Sequence, residues 1–203
     1  MLLKNYFWYF PGAIPERLCN QVIATAMKEK GMRGLTGDTN PDTATEEELK
    51  SIKKKRDSKI AWMNYPWLYN LFIPYVTNAN NNAGWNFQFD ESESCQFTVY
   101  EPGQFYDWHA DSKEEPYKNG KIRKLSVTVS LSDPKDYTGG ELEFDFKNND
   151  PLQPNNRHIC REILPKGSIV VFPSFVWHRV RPVLRGTRLS LVIWNCGHLI
   201  DEF

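Results

Sequence analysis

Apolar and polar positions along the chain follow two different rhythms, and the change comes near residue 85. Upstream the spacing is helical. Leu18, Val22 and Ala26 can share one face, with Cys19 and Ile23 beside them. Pro15 suits the first turn of a helix, so one is predicted from there to about Lys30, with Gly31 and Gly34 ending it. Residues 34 to 45, "GLTGDTNPDTAT", read as a polar loop. Thr45, with Glu48 three residues on, forms a capping box ahead of "EEELKSIKKK", a short charged helix. Its basic run, Lys53 to Arg56, reads as a solvated helix face. A third helix is expected from Pro66, with Leu68, Leu71, Phe72 and Tyr75 on one stripe. Pro74 is expected to kink or break it, and "NANNNAG" to form a turn. The opening "MLLKNYFWYFPGAIP" reads as a first strand rather than a leader, because Asn5, Pro11 and Pro15 interrupt its apolar run.

From Trp85 the period falls to two. "WNFQFD", "CQFTVY" and "ELEFDF" alternate. "KLSVTVSLS" sets Leu125, Val127, Val129 and Leu131 on one face and Ser126, Thr128, Ser130 and Ser132 on the other. "GSIVVF" and "TRLSLVIWN" read as buried strands. Short strands separated by Pro, Gly, Asn and Asp clusters predict a β-sandwich or barrel. The expected layout is one domain over residues 1–203. Residues 1–84 form a helical support with an N-terminal strand, and residues 85–200 form the β core.

Composition narrows the function classes. A chain of 203 residues can bury one substantial core without a second domain. The 25 Lys and Arg balance the 25 Asp and Glu, so the chain has no general attraction to nucleic acid or anionic membrane. No run reaches membrane-spanning length. Cys19, Cys95, Cys160 and Cys196 make no CxxC pair and read as buried free thiols, which implies a reducing, cytoplasmic location.

The candidate chemistry begins in "VYEPGQFYDWHADS", residues 99 to 112. In extended backbone His109 and Asp111 point the same way and can converge. An H-x-D alone is weak, since a surface pair or a core histidine explains it equally well. His178 changes this. Two imidazoles and one carboxylate can occupy one face of a metal, and a facial set with open positions favours non-haem Fe(II). A closed zinc site would want four ligands, usually with cysteine among them. Further on, Arg188, Ser190, Val192 and Trp194 share one face of "RLSLVIW". An inward arginine needs an acceptor, and its fork matches a carboxylate. His158 and His198 lack such a pattern, and His158 is expected to be exposed.

These residues resemble the 2-oxoglutarate- and Fe(II)-dependent dioxygenases, specifically the prolyl 4-hydroxylase-like, PKHD-type branch of bacteria and phages. The likeness rests on the H-x-D, the distal histidine and the arginine ten residues beyond it. It extends through "QFTVYEPGQFYDWHAD", "RKLSVTVSLSDPKDYTGGELEF" and "KGSIVVFPSFVWHRVRPVLRGTRLSLVIW". It implies a mainly β fold with flanking helices (α+β) around a double-stranded β-helix, or jelly roll. It implies His109, Asp111 and His178 as catalytic iron ligands, and Arg188 as the partner of the distal carboxylate of 2-oxoglutarate. Tyr100 and Ser190 are implied as further co-substrate contacts.

The implied reaction uses O2, converts 2-oxoglutarate to succinate and CO2, and hydroxylates an unactivated C–H bond. Ascorbate is a candidate reductant. The implied substrate is a prolyl residue of a protein or peptide. The alternatives are a free amino acid or small molecule, or a non-catalytic sensor that binds metal and 2-oxoglutarate. Arg123, Tyr106 and Trp108 are candidate substrate contacts. Asp111 distinguishes the chain from related halogenases, which lack that carboxylate. Position 194 is tryptophan, where related nucleic-acid demethylases carry a second arginine, so neither a nucleic-acid nor a membrane partner is expected. The "TGGELEF" glycines are expected to permit a tight turn. The stretches at 34–48 and 112–121 are both candidates to close the mouth of the site.

Overall fold

A computed structural model describes residues 3–34, 43–113, 115–146 and 156–199. The first part of the chain runs β1 (Trp8–Phe10), α1 (Glu16–Ala26), β2 (Met32–Arg33), α2 (Glu46–Lys55), β3 (Arg56–Asp57), β4 (Lys59–Met63) and α3 (Pro66–Asn82). The strands that follow are β5 (Glu91–Ser92), β6 (Cys95–Tyr100), β7 (Phe105–His109), β8 (Lys121–Ser130), β9 (Tyr137–Gly139) and β10 (Leu142–Asp145). The last are β11 (Arg157–Ile159), β12 (Ile169–Pro173), β13 (Trp177–Val180), β14 (Val183–Gly186) and β15 (Arg188–His198).

Two antiparallel sheets carry the fold, as a jelly roll requires. The larger has the order β1-β12-β8-β15-β6-β4-β2, with β5 added beside β15. The smaller has the order β11-β10-β13-β7-β3. Helices α1 and α3 pack on the outer face of the large sheet. There Val22, Leu68, Phe72 and Val76 meet Leu125, Val127, Val129, Leu191 and Ile193 in one core. A second core lies between the sheets, around Tyr100, Leu142, Phe144, Phe172 and Val180. The alternation in β8 therefore separates two interiors. The polar set Ser126, Thr128 and Ser130 is as buried as the apolar set and faces the small sheet.

Local chemistry explains the helix starts. The Thr45 hydroxyl accepts the Glu48 amide, and the Glu48 carboxylate accepts the Thr45 amide, so the capping box forms as predicted. Three glutamates in the first turn of α2 and three lysines in the last complement its dipole. Pro66 opens α3. The N-terminal strand is present as β1, paired with β12.

Several expectations fail in instructive ways. The first helix stops at Ala26, before either glycine. Pro74 does not end α3, which continues through the asparagines to Asn82. Those asparagines are useful where they are: the Asn80 side chain donates to the Phe87 carbonyl at 2.9 Å and accepts its amide at 3.0 Å. "WNFQFD" forms no strand, and its aromatic rings instead pack against the helix-side core. β4 went unanticipated because its period is hidden in "SKIAWM", yet it pairs with β6 along its whole length. With β3 on the small sheet, it ties the first 84 residues into both sheets. Residues 35–42 of the predicted loop lie outside the described residues. Among the described residues, no helix is long and apolar enough to cross a membrane.

Candidate active site

The two histidines sit opposite each other on neighbouring strands: His178 of β13 is in register with His109 of β7. Each ring is oriented by its own backbone neighbourhood. His109 Nδ1 lies 2.7 Å from the Asp107 carbonyl and His178 Nδ1 lies 2.9 Å from the Val176 carbonyl. A carbonyl can only accept, so Nδ1 carries the proton and Nε2 keeps its lone pair. Both Nε2 atoms face Asp111, His109 at 3.6 Å from Oδ1 and His178 at 3.6 Å from Oδ2. The three ligand atoms all lie within 4.8 Å of one another.

Asp111 follows the end of β7, so its position depends on contacts to other elements. Its amide donates to the Ser174 carbonyl at 2.8 Å, as does that of Ser112 at 2.9 Å. The Ser126 hydroxyl of β8 donates to Asp111 Oδ2 at 2.7 Å and lies 2.8 Å from the Ser174 hydroxyl. Burial alone would raise the carboxyl pKa. The two imidazoles and Arg123 outweigh it and hold Asp111 well below the usual carboxylate range. Burial, and then His109, push the His178 imidazole down to about 4. An ionised carboxylate beside a neutral imidazole is the protonation state that metal binding needs.

The large sheet supplies the opposite wall. Arg188 and Tyr100 are cross-strand partners on β15 and β6. Arg188 is buried, donates to Ser190 Oγ at 3.2 Å and lies 5.5 Å from the Tyr100 ring centre. Among the described residues no carboxylate pairs with it. Burial raises the Tyr100 phenol, despite the two arginines nearby, so its hydroxyl remains a donor at neutral pH. Arg188, Ser190, Val192 and Trp194 do share one face, and all four line the inner pocket with the three candidate metal ligands. Trp194 Nε1 is buried there with no hydrogen-bond partner among the described residues. Behind Arg188, the backbone turns at Gly139 and Gly140, both with positive φ. A Cβ on Gly140 would come within 2.9 Å of Arg188 Cδ, so this glycine serves close packing as well as the turn.

Outside this pocket lies an open groove of about 1330 Å³. Glu48, Ile52 and Lys55 of α2 line one side, and Tyr117 and Arg123 belong to its rim. The candidate substrate contacts all line it. Arg123 reaches Glu93 through Nε at 2.7 Å and Nη2 at 2.6 Å, with its guanidinium 3.8 Å from the Trp194 ring centre. Tyr106 stacks on the His109 ring at 3.6 Å and 12°. Trp108 packs against Arg157 and Arg179. Tyr117 donates to Glu93 at 3.2 Å, which fastens part of the 112–121 stretch to this rim.

Among the described residues His158 joins no cluster of three candidate ligands, and it is half-buried rather than exposed: it pairs with Glu162 and stacks on Phe7. The charge run ending at Arg56 needs correction too. Lys53, Lys54 and Lys55 are exposed, whereas Arg56 is 4% exposed and lies 4.6 Å over Tyr106. Arg56, Glu93, Ser126 and Ser174 were all missed as site residues. The polar face of β8 was a usable signal for Ser126. The others had none, because their partners lie on distant segments.

A family model, the 2OG-Fe(II) oxygenase superfamily, matches residues 95–196. That is half of the chain and includes every residue of the two walls, so the chain belongs to this superfamily. A PKHD-type hydroxylase of Hyphomonas neptunium is 34% identical over 110 residues, which is 53% of this chain and 45% of that protein. The chain thus spans less than half the length of the curated relatives it matches. Among solved structures, the viral collagen prolyl hydroxylase from Paramecium bursaria Chlorella virus-1 superposes with a TM-score of 0.63 at 18% identity, covering 96% of this chain and 97% of that one. A Trichoplax adhaerens prolyl hydroxylase in complex with a hypoxia inducible factor peptide fragment gives 0.62 at 17% identity, covering 95% and 84%. At those identities the likeness establishes the shared fold.

Proposed function

We propose that the chain is a 2-oxoglutarate- and Fe(II)-dependent dioxygenase that hydroxylates a prolyl residue of a protein or peptide. The observation that carries this reading is the opposition of two walls. A His109–Asp111–His178 cluster, with Asp111 and His178 buried, faces a buried Arg188 that has no carboxylate of its own among the described residues. The donor set fits iron: two imidazoles, each oriented through its Nδ1, and an ionised carboxylate on one side of a point, with the remaining positions open. The other wall fits the co-substrate. Arg188 and Ser190 would take the distal carboxylate, Tyr100 offers a neutral donor, and the orphaned Trp194 N–H offers another.

Iron together with 2-oxoglutarate and O2 would supply the oxidising power, with succinate, CO2 and the hydroxylated product as the outcome. The chain's own residues bind, orient and shield. Both Nδ1–H groups fix their imidazoles through main-chain carbonyls. Ser126 donates a hydrogen bond to Asp111 Oδ2, which orients the carboxylate. Tyr106 covers one face of His109 and keeps water from it. A peptide is favoured over a small molecule because the groove, open and about 1330 Å³, exceeds the roughly 300–1,000 Å³ of a typical small-ligand pocket. The similarity to PKHD-type hydroxylases and to prolyl hydroxylase structures points the same way. Four buried free thiols support a reducing, cytoplasmic setting.

The test is succinate formation by Fe(II)-loaded protein with 2-oxoglutarate, O2 and ascorbate, with and without proline-containing peptides. Turnover stimulated by a peptide, with a mass gain of one oxygen, supports the reading. Stimulation only by free amino acids would move the substrate to small molecules. Tight binding of metal and 2-oxoglutarate without any turnover would favour a sensor.

A further inference from the structure

The turn between β12 and β13 holds two of the three candidate metal ligands. It spans Pro173 to Val176 and is closed by the Val176 amide, which donates to the Pro173 carbonyl at 2.9 Å. The Val176 carbonyl lies 2.9 Å from His178 Nδ1 and so orients that imidazole. Ser174 holds Asp111, and it does so at two points. Its carbonyl accepts the Asp111 amide at 2.8 Å and the Ser112 amide at 2.9 Å. Its hydroxyl reaches the carboxylate indirectly, through Ser126. The Ser174 amide donates to the Lys124 carbonyl at 2.9 Å, which ties the turn to β8, the strand that carries Ser126.

The direction of the side-chain relay follows from its protons. A hydroxyl has one O–H to donate, and an ionised carboxylate can only accept. Ser126 gives its proton to Asp111 Oδ2 at 2.7 Å. The 2.8 Å bond between the two hydroxyls is therefore donated by Ser174. Each bond in such a chain polarises the next, so the Ser174 hydroxyl strengthens the donor that Asp111 receives. Ser126 and Ser174 are both 0% exposed, and solvent does not compete for either hydroxyl. Ser174 lines neither the inner pocket nor the outer groove. Any influence of its side chain on a bound metal has to pass through Asp111.

We propose that Ser174 is a positioning residue for the metal. Acting through Ser126, its hydroxyl keeps Asp111 Oδ2 turned toward β8 and leaves Oδ1 as the oxygen that ligates. A carboxylate free to rotate could engage through both oxygens and fill a position that the co-substrate or O2 needs. This rests on the dioxygenase reading, in which the metal keeps open positions.

The test is a double-mutant cycle read by Co(II) affinity and by the visible spectrum of the bound ion. Ser174→Ala removes the hydroxyl and keeps the main-chain bonds. It is expected to weaken Co(II) binding about fivefold in the wild-type background, the scale of one lost hydrogen bond. It should also shift the spectrum, because the ligating oxygens change. In a Ser126→Ala background the same substitution is expected to change affinity by less than about twofold and to leave the spectrum as it is, because the link to Asp111 is already gone. Equal losses in both backgrounds, no loss in either, or an unchanged spectrum in Ser174→Ala would overturn the proposal. Should Ser174→Ala fail to fold, Ser174→Cys carries the same cycle with a weak donor in place of the hydroxyl. Wild-type protein that binds no Co(II) would instead defeat the metal site and the dioxygenase reading with it. Binding by wild type with an additive cycle would defeat only the role of Ser174.

Discussion

The inner pocket and the outer groove adjoin each other and are built by opposite rules. The pocket is made by strands whose register is fixed on both sides, and Asp111, His178 and Arg188 are buried in it and held by short contacts. The groove is made by a helix face, loop residues and strand ends, and its charged groups include exposed Glu48 and Lys55. A pocket that must present the same few atoms to a metal and a small dicarboxylate benefits from rigidity. A groove that receives a longer partner needs shape and surface charge, which loops and helix faces vary at little cost to the core. Perturbation should therefore cost most in the pocket and least on the groove.

The largest effect is expected from His178→Ala, which removes one of three ligands. Metal binding, followed by equilibrium dialysis, and succinate production should be lost together; surviving Fe-dependent turnover would remove His178 from the site. Next comes Arg188→Ala. Loss of a buried, charge-assisted partner typically costs about 2–5 kcal/mol, and calorimetry should show that loss in 2-oxoglutarate affinity while Zn(II) still binds. Unchanged co-substrate affinity would show that the carboxylate is held elsewhere.

Acid should reveal the same contrast in metal-free protein. The unfolded His178 takes a proton near its ordinary value, whereas the folded imidazole resists until about 4. Between those values protons favour the unfolded chain. Thermal stability should fall as pH drops from about 6.5 to 4, with a cost on the order of 2–3 kcal/mol. Bound Zn(II) should steepen the loss, since acid also strips the ligands. A flat melting temperature across that window would argue against a buried neutral imidazole.

Ser126→Ala is expected to weaken metal affinity by roughly 10- to 100-fold, the range for partners that orient a ligand. It should leave the β8 pairing intact, which circular dichroism would check. The smallest effect belongs to the groove. Lys55→Ala should alter stability by less than about 0.5 kcal/mol and leave 2-oxoglutarate binding unchanged. Only the KM for a peptide substrate should move. A loss of co-substrate affinity in that variant would erase the distinction between the two regions.

Much of the pocket was legible in the chain because strand geometry is local. His109 and Asp111 two apart, and Arg188, Ser190, Val192 and Trp194 alternating along one strand, need only a period of two to be placed on one face. The capping box at Thr45 and Glu48 is equally local. Where local signals competed with packing, reading failed. Pro74 should disfavour a helix, yet α3 runs through it with Leu68, Phe72 and Val76 buried in the core. "WNFQFD" alternates like a strand, but its rings are claimed by the helix-side core, and only its last residue, Asp90, bonds to the backbone of β15.

Sequence alone was enough for most of the β core, the order of its chemical residues and the sets of residues that share a face of β8 and β15. All of these follow from side-chain period and residue type. The tertiary structure alone decided which partners each buried polar group would have. Ser126 could be placed on the polar face of its strand, but its burial and its bond to Asp111 exist because β8 lies beneath the end of β7. Arg56 looked like the last charge of a solvated helix, and it is buried because β3 pairs with β7 and carries it under Tyr106. Hydrogen bonds and ion pairs act over a few ångströms. Between residues far apart in the chain, only the packing of the sheets determines which of them come that close.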